Sequence, residues 1–250
     1  TKYKDHKLIG HKLQKLDKLI VGNGLIVKIK QGNQNKLYSK VDNIIKSNDN
    51  GVLTIANYPA ANQKNIVYLT LRYLPKVIEL KGASYIKIKA KSTKPLQVMA
   101  RAPGQIIIKG WVNIANIYNP GHADIIAHWL TGPQVKVYSE GGHIQLSGKT
   151  NHLMLELGGH ALFEGGGLKA KHIWVNSSDF ALAKIFPEQS LNAYASGNSQ
   201  VAYLHQLPVD QVLRRVYQRA NVVFVNKLDA DVKTGSYIFS KHDKTHTVLN

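Results

Sequence analysis

The sequence contains no cysteine among its 250 residues. That excludes a disulfide scaffold, a thiol nucleophile, a Cys-ligated zinc and an iron–sulfur cluster. Acidic residues are scarce as well: 15 Asp and Glu stand against 33 Lys and Arg, a formal net charge of +18 at pH 7. No stretch approaches the roughly 18 consecutive apolar residues that a membrane-spanning helix needs, so no transmembrane segment is expected. Helical periodicity is rare. The hydrophobic fraction of 44% is nonetheless ordinary for a chain with a real core, and wholesale disorder is not expected. The chain opens at Thr1 rather than Met, which leads to the expectation of a processed N-terminus with its signal peptide removed.

The positive charge is uneven. Residues 1–94 hold 19 Lys and Arg against 5 Asp and Glu, and residues 95–250 hold 14 against 10. Lys2, Lys4, Lys7, Lys12, Lys15 and Lys18 punctuate the first stretch, while Lys28/Lys30 and Lys87/Lys89/Lys91 alternate with apolar residues. Alternation at period two places such lysines on one face of a sheet and Ile29, Ile86 and Ile88 on the other. Two readings follow: a surface that recruits a polyanion, or a solvated face that discourages edge pairing. Lysine outnumbers arginine, the better residue for bidentate phosphate and guanine contacts, so nucleic acid is disfavoured as a partner.

Short β-branched runs recur at 25–30, 52–56, 66–71, 77–80, 85–89 and 106–108, separated by turns such as Gly22-Asn23-Gly24, Gly32-Asn33, Asn48-Asp49-Asn50-Gly51 and Pro103-Gly104. The chain reads as all-β. From residue 78 a pattern repeats: two inward apolar residues, a bend of small residues, then two more apolar residues. Copies begin at Ile78, Val98, Ala115, Val135, Leu153, Ile173 and Leu191, a period of 17 to 20 residues. So short a period suits one coil of a β-solenoid and is too small for propeller blades or helical repeats. A single coil cannot bury its inward residues alone, whereas coils stacked ~4.8 Å apart build a continuous core. The expected column has about seven or eight coils. A plain antiparallel sandwich shares the alternation but not the fixed period.

Residues 19–32 (LIVGNGLIVKIKQG), 36–45 (KLYSKVDNII) and 50–55 (NGVLTI) carry a family likeness, as do 66–84 (IVYLTLRYLPKVIELKGAS) and 196–203 (SGNSQVAY). Taken in order, from about residue 13 to about residue 226, they resemble the bacterial putative auto-transporter adhesin family with the head GIN domain. The resemblance implies a right-handed parallel β-helix in a secreted or cell-envelope protein, with no established catalytic residues. The family repeats Gly-Ala-Ser in several coils, and here only Gly82-Ala83-Ser84 keeps it; the other bends read Ala-Pro-Gly, Asn-Pro-Gly, Glu-Gly-Gly and Ser-Ser-Asp.

Candidate chemistry is thin. Glycoside hydrolysis needs two carboxylates about 5–10 Å apart, and the repeat region offers about one acid per coil, at differing phases. Glu140 and Glu156 come nearest to a pair, but one falls in a turn and the other in a strand. His122, His143 and His160 each follow a glycine-containing bend, and coils in register would stack them into a metal-binding or pH-sensitive ladder. The bland alternative is a column of exposed turn residues. Trp111, Trp129 and Trp174, with Tyr118, Tyr138 and Tyr203, offer a sugar-stacking face, although aromatics in such strands more often pack the core or the coil edge. Gly158-Gly159 and Gly165-Gly166-Gly167 lack the helix and the Lys-Ser/Thr of a phosphate loop.

The expectation is therefore a basic segment at 1–18, one β-solenoid domain at 19–226 (lead-in strands at 19–75, repeat coils at 76–226) and a cap or tail at 227–250. Functionally it is a non-catalytic extracytoplasmic protein that binds an anionic polysaccharide, a lipid head group or a protein partner, a second copy included. Lys28, Lys30, Lys87 and Lys89 are the expected contacts, with no catalytic residue, metal or cofactor. The alternatives are a polysaccharide-active lyase or hydrolase, favoured by an acid pair in a lateral cleft, and a structural or oligomerising module.

Overall fold

The computed structural model describes residues 9–40, 44–57 and 65–226. Lys2, Lys4 and Lys7 and the expected tail at 227–250 lie outside them. The described residues form nineteen strands and one single-turn 3-10 helix, Val209–Gln211. The strands stack as a β-solenoid of about seven turns.

Two long columns of parallel strands form the main faces. The first runs through Val77–Leu80, 97–100, 116–119, 136–139, 154–157, 174–177, 192–195 and Val212–Val216. Tyr85–Lys89, 105–109, 124–128, 143–145, 162–164, 182–185, Gln200–Tyr203 and Asn221–Phe224 form the second. A shorter third face closes each coil, at Val112, Leu130, Gly148 and Leu168. Alternate residues point inward, so Ile78, Val98, Ile117, Val137, Leu155, Val175 and Ala193 form one buried column and Ile86, Ile106, Ile125, Ile144, Phe163, Ala183 and Val201 another.

The register corrects the phase of the repeat. Ile78 and Val98 align with Ile117, Val137, Leu155, Val175 and Ala193, two residues past the starts expected for the later copies. The reason is local: Val135, Leu153, Ile173 and Leu191 are also buried, so the inward alternation extends one step upstream and apolar spacing alone does not fix where a copy begins.

The lead-in strands are rungs of the same column, laid down out of order. Lys18–Val21 pairs in parallel with Val77–Leu80 on one side and Val52–Asn57 on the other, and Leu25–Gln31 likewise lies between Tyr85–Lys89 and Asn65–Leu71. The chain lays one rung, steps outward to build the next, then returns to continue the solenoid. Antiparallel strands finish this end: Lys36–Ser39 pairs with Asn65–Leu71 and Ile9–Lys12, and Ile44–Asp49 with Val52–Asn57. Such pairing covers edges that would otherwise template aggregation.

Polar side chains, most of them buried, tie the bends together. The Gly82-Ala83-Ser84 bend sits on Gly22-Asn23-Gly24: the Ser84 hydroxyl donates to the Gly22 carbonyl and accepts from Leu25 N–H (2.9 Å), and Asn23 Oδ1 accepts from Ala83 N–H (2.9 Å). Fully buried Asn119 spans its own bend and the next, its amide donating to Ala123 O (2.9 Å), Ser139 Oγ (3.2 Å) and Gly141 O (3.3 Å) while accepting from Ala123 N–H (2.9 Å).

Candidate functional site

Because Leu25–Gln31 and Tyr85–Lys89 are adjacent rungs in direct register, Lys28 lies opposite Lys87 and Lys30 opposite Lys89. All four lysines line one shallow groove of about 170 Å³ with Tyr68 and Thr70, which the preceding rung supplies. The Lys28 ammonium lies 5.9 Å from the centre of the Tyr68 ring. Each lysine is 59 residues from the one it faces, and the out-of-order rung is what joins them. Lys109 extends this row, in register with Lys89 on one side and His128 on the other.

On the first face, Glu79 ties three rungs. Its carboxylate, largely buried, meets Arg101 Nε at 2.7 Å and Lys18 Nζ at 3.2 Å. Burial pushes its pKa up, but the hydrogen bonds from Arg101 and Lys18 outweigh that, and the carboxyl ends below its usual range. These groups are occupied with holding rungs.

A second, larger groove of about 450 Å³ is lined by His122, Tyr138, Glu140, Glu156, Asn176 and Asp179 among others. Glu140 and Glu156, from different coils, thus share one cleft. The Tyr138 hydroxyl donates to the Glu140 carboxylate, which raises the phenol pKa to about 12. Asp179 Oδ2 is held by Gly159 N–H at 2.8 Å. Tyr138 stacks on Tyr118, centroids 5.2 Å apart, and the Arg101 guanidinium lies 5.4 Å from the Tyr118 ring.

The three histidines do not form a ladder. The bends before them differ in length, so His143 falls in register with Asp124 and Leu162 instead of His122 or His160. His160 stacks on Phe180 (4.9 Å, 6°), and His143 Nε2 meets Glu164 Oε2 at 3.3 Å. A stacked histidine pair does occur elsewhere, at His152 and His172, with centroids 5.2 Å apart. Among the described residues, no group of three or more His, Asp or Glu side chains is placed to hold a metal ion.

Aromatic placement divides sharply. Tyr203 is buried and Trp174 half-buried, but Trp111 and Trp129 stand 51% and 53% exposed at neighbouring corners, with ring centroids 6.4 Å apart and planes 26° from parallel. Alternation alone shows that a residue points outward. It does not show that two outward indoles share a corner.

Residues 15–206 match the profile of the family described as putative auto-transporter adhesin, head GIN domain. The chain belongs to this family. Solved structures of similar fold include a putative lipid binding protein from Parabacteroides distasonis (13% identity, TM-score 0.73, 90% of this chain and 98% of that one). Putative adhesins from Parabacteroides merdae (15%, 0.75, 90% and 98%) and Parabacteroides distasonis (17%, 0.70, 88% and 98%) are similar as well. At these identities the likeness shows the GIN-domain fold alone. No curated protein matches the sequence. No helix among the described residues is long and apolar enough to cross a membrane.

Proposed function

We propose that this GIN-domain protein is a non-catalytic, extracytoplasmic, adhesin-like binding module whose ligand is a polyanion, an acidic glycan or a lipid head group, held on the face of Lys28, Lys30, Lys87 and Lys89. The reading rests on the direct opposition of these lysines across two rungs. Like charges facing each other in a sheet are unfavourable, and an anion laid along the groove relieves that repulsion. Lysine suits this role because its ammonium is a mobile point charge that follows a repeating anion without demanding one geometry. Tyr68 and Thr70 add hydroxyls at the rim. Family membership favours binding over catalysis, and the extracytoplasmic assignment follows the family's adhesin description.

The test is binding to an acidic polysaccharide and to anionic vesicles over a salt series from about 50 to about 500 mM, a range that shortens the screening length about threefold. Affinity is expected to fall steeply with salt and to drop at least tenfold in the Lys28→Gln/Lys30→Gln/Lys87→Gln/Lys89→Gln variant. Absence of binding to any polyanion at the lowest salt, or binding indifferent to the four substitutions, overturns the reading.

A second reading, a glycan-active enzyme, is favoured by the shared cleft of Glu140 and Glu156. Retaining and inverting hydrolysis both work through such a pair. It predicts shortening of the same polysaccharides on long incubation, lost in Glu156→Gln; unchanged chain length rejects it.

A further inference from the structure

Building on the polyanion reading of the lysine face, we propose that the partner is an anionic lipid surface, with Trp111 and Trp129 anchoring the protein in the membrane interface. Exposed large apolar groups that sit together on a folded protein mark contact sites, and here two indoles stand half in water at one corner.

Their setting is amphipathic. Ile107 and Ile126, on the same outer face, are half-buried and in register with each other, and Ile107 is in register with Lys87. Lys109 precedes Trp111 by two residues and pairs in register with Lys89. Ile107 thus lies one rung from Lys87 of the lysine groove, and Lys109, one rung from Lys89, stands between Ile107 and Trp111, so the lysine row runs up to the corner that carries the indoles. Tryptophan settles at the level of lipid head groups, and lysine beside it reaches the phosphates.

The corner also holds the indoles outward. Gly110 has φ 109°, and a Cβ there would meet Ala90 O at 1.9 Å, so the backbone turns hard against the preceding rung and Trp111 projects outward.

The test uses the intact protein with phosphatidylcholine vesicles, with and without about 30% phosphatidylglycerol, and with acyl-brominated lipid as a tryptophan quencher. Wild type is expected to bind only the anionic vesicles, with quenched, blue-shifted emission. Trp111→Ala/Trp129→Ala is expected to lose at least tenfold in vesicle affinity, and the quenching with it, while melting cooperatively and keeping its affinity for a soluble acidic polysaccharide. The Phe pair at the same positions is expected to retain part of the vesicle affinity. Lys87→Gln/Lys89→Gln is expected to lose about fivefold per lysine for vesicles. Polysaccharide binding without vesicle binding overturns the lipid proposal and leaves the lysine reading standing, and loss of both overturns both. Vesicle binding without quenching, or a Trp double variant impaired only toward polysaccharide, also overturns it, the latter by assigning the rings to a glycan.

Discussion

At the scale of single residues, His143 shows how an outer-face side chain couples stability to pH. Its Nε2 lies 3.3 Å from the Glu164 carboxylate, an ion-pair contact whose strength requires the ring to be charged. The bond to Glu164 raises the imidazole pKa, partial burial works against it, and the Glu164 and Asp124 charges add to the rise. Around this pair, Gln145 and Lys184 lie in register with Glu164 on the rungs either side. A folded-state pKa above the unfolded value gives a contribution that is fully present below the unfolded pKa, about 6.5, and disappears as pH rises through the folded value. The melting temperature of wild type is therefore expected to exceed that of His143→Gln most clearly near pH 5.5, with the difference shrinking by about pH 8.5. A difference independent of pH across that range overturns the assignment.

At the scale of elements, the bends decide what the sequence makes legible. The period of 17 to 20 residues, which the register narrows to 18 to 20, is readable because each inward Val, Ile, Leu or Ala recurs once per coil, and alternation at Lys28/Lys30 and Lys87/Lys89 correctly sets those side chains outward. Their meeting in one groove was not readable, since it depends on a rung that the chain leaves and later rejoins between Gln31 and Val77. The histidine ladder, one of two readings that the sequence left open, does not form for a related reason: bends of unequal length shift His143 relative to His122 and His160. Asn119 shows what fixes a bend once formed. Its buried amide bonds three partners in its own and the next bend, plus one backbone N–H. Asn119→Ala strands those groups away from water and is expected to cost about 2–4 kcal/mol in denaturant unfolding. A loss under about 0.5 kcal/mol would mean that neighbouring Ser139 or water replaces it.

At the scale of the whole molecule, charge and architecture pull against each other. Of the net +18, residues 1–94 carry +14. The solenoid does not dilute this, because register stacks Lys28 on Lys87, and Lys30 on Lys89 on Lys109. The inward side of those rungs, Val27, Ile29, Ile86, Ile88, Ile106 and Ile108, is buried core, and its burial offsets the repulsion outside. On the proposed polyanion reading, such an arrangement gives up stability in the free protein to keep a face ready for an anion. Stability should then rise with salt, which screens exposed like charges, and rise again with a bound polyanion, which binds only the folded state. Each opposed pair is worth roughly 0.2–1 kcal/mol. In a chain of this size, relief of the three pairs that Lys87 and Lys89 make corresponds to an increase of about 1–12 °C in melting temperature. Lys87→Gln/Lys89→Gln is expected to show that increase at low salt and to lose most of the further gain on adding salt, because the repulsion is already gone. A variant that melts lower than wild type at low salt would show that these lysines contribute packing or hydrogen bonds that outweigh their repulsion, and the picture of a strained, waiting face would fall.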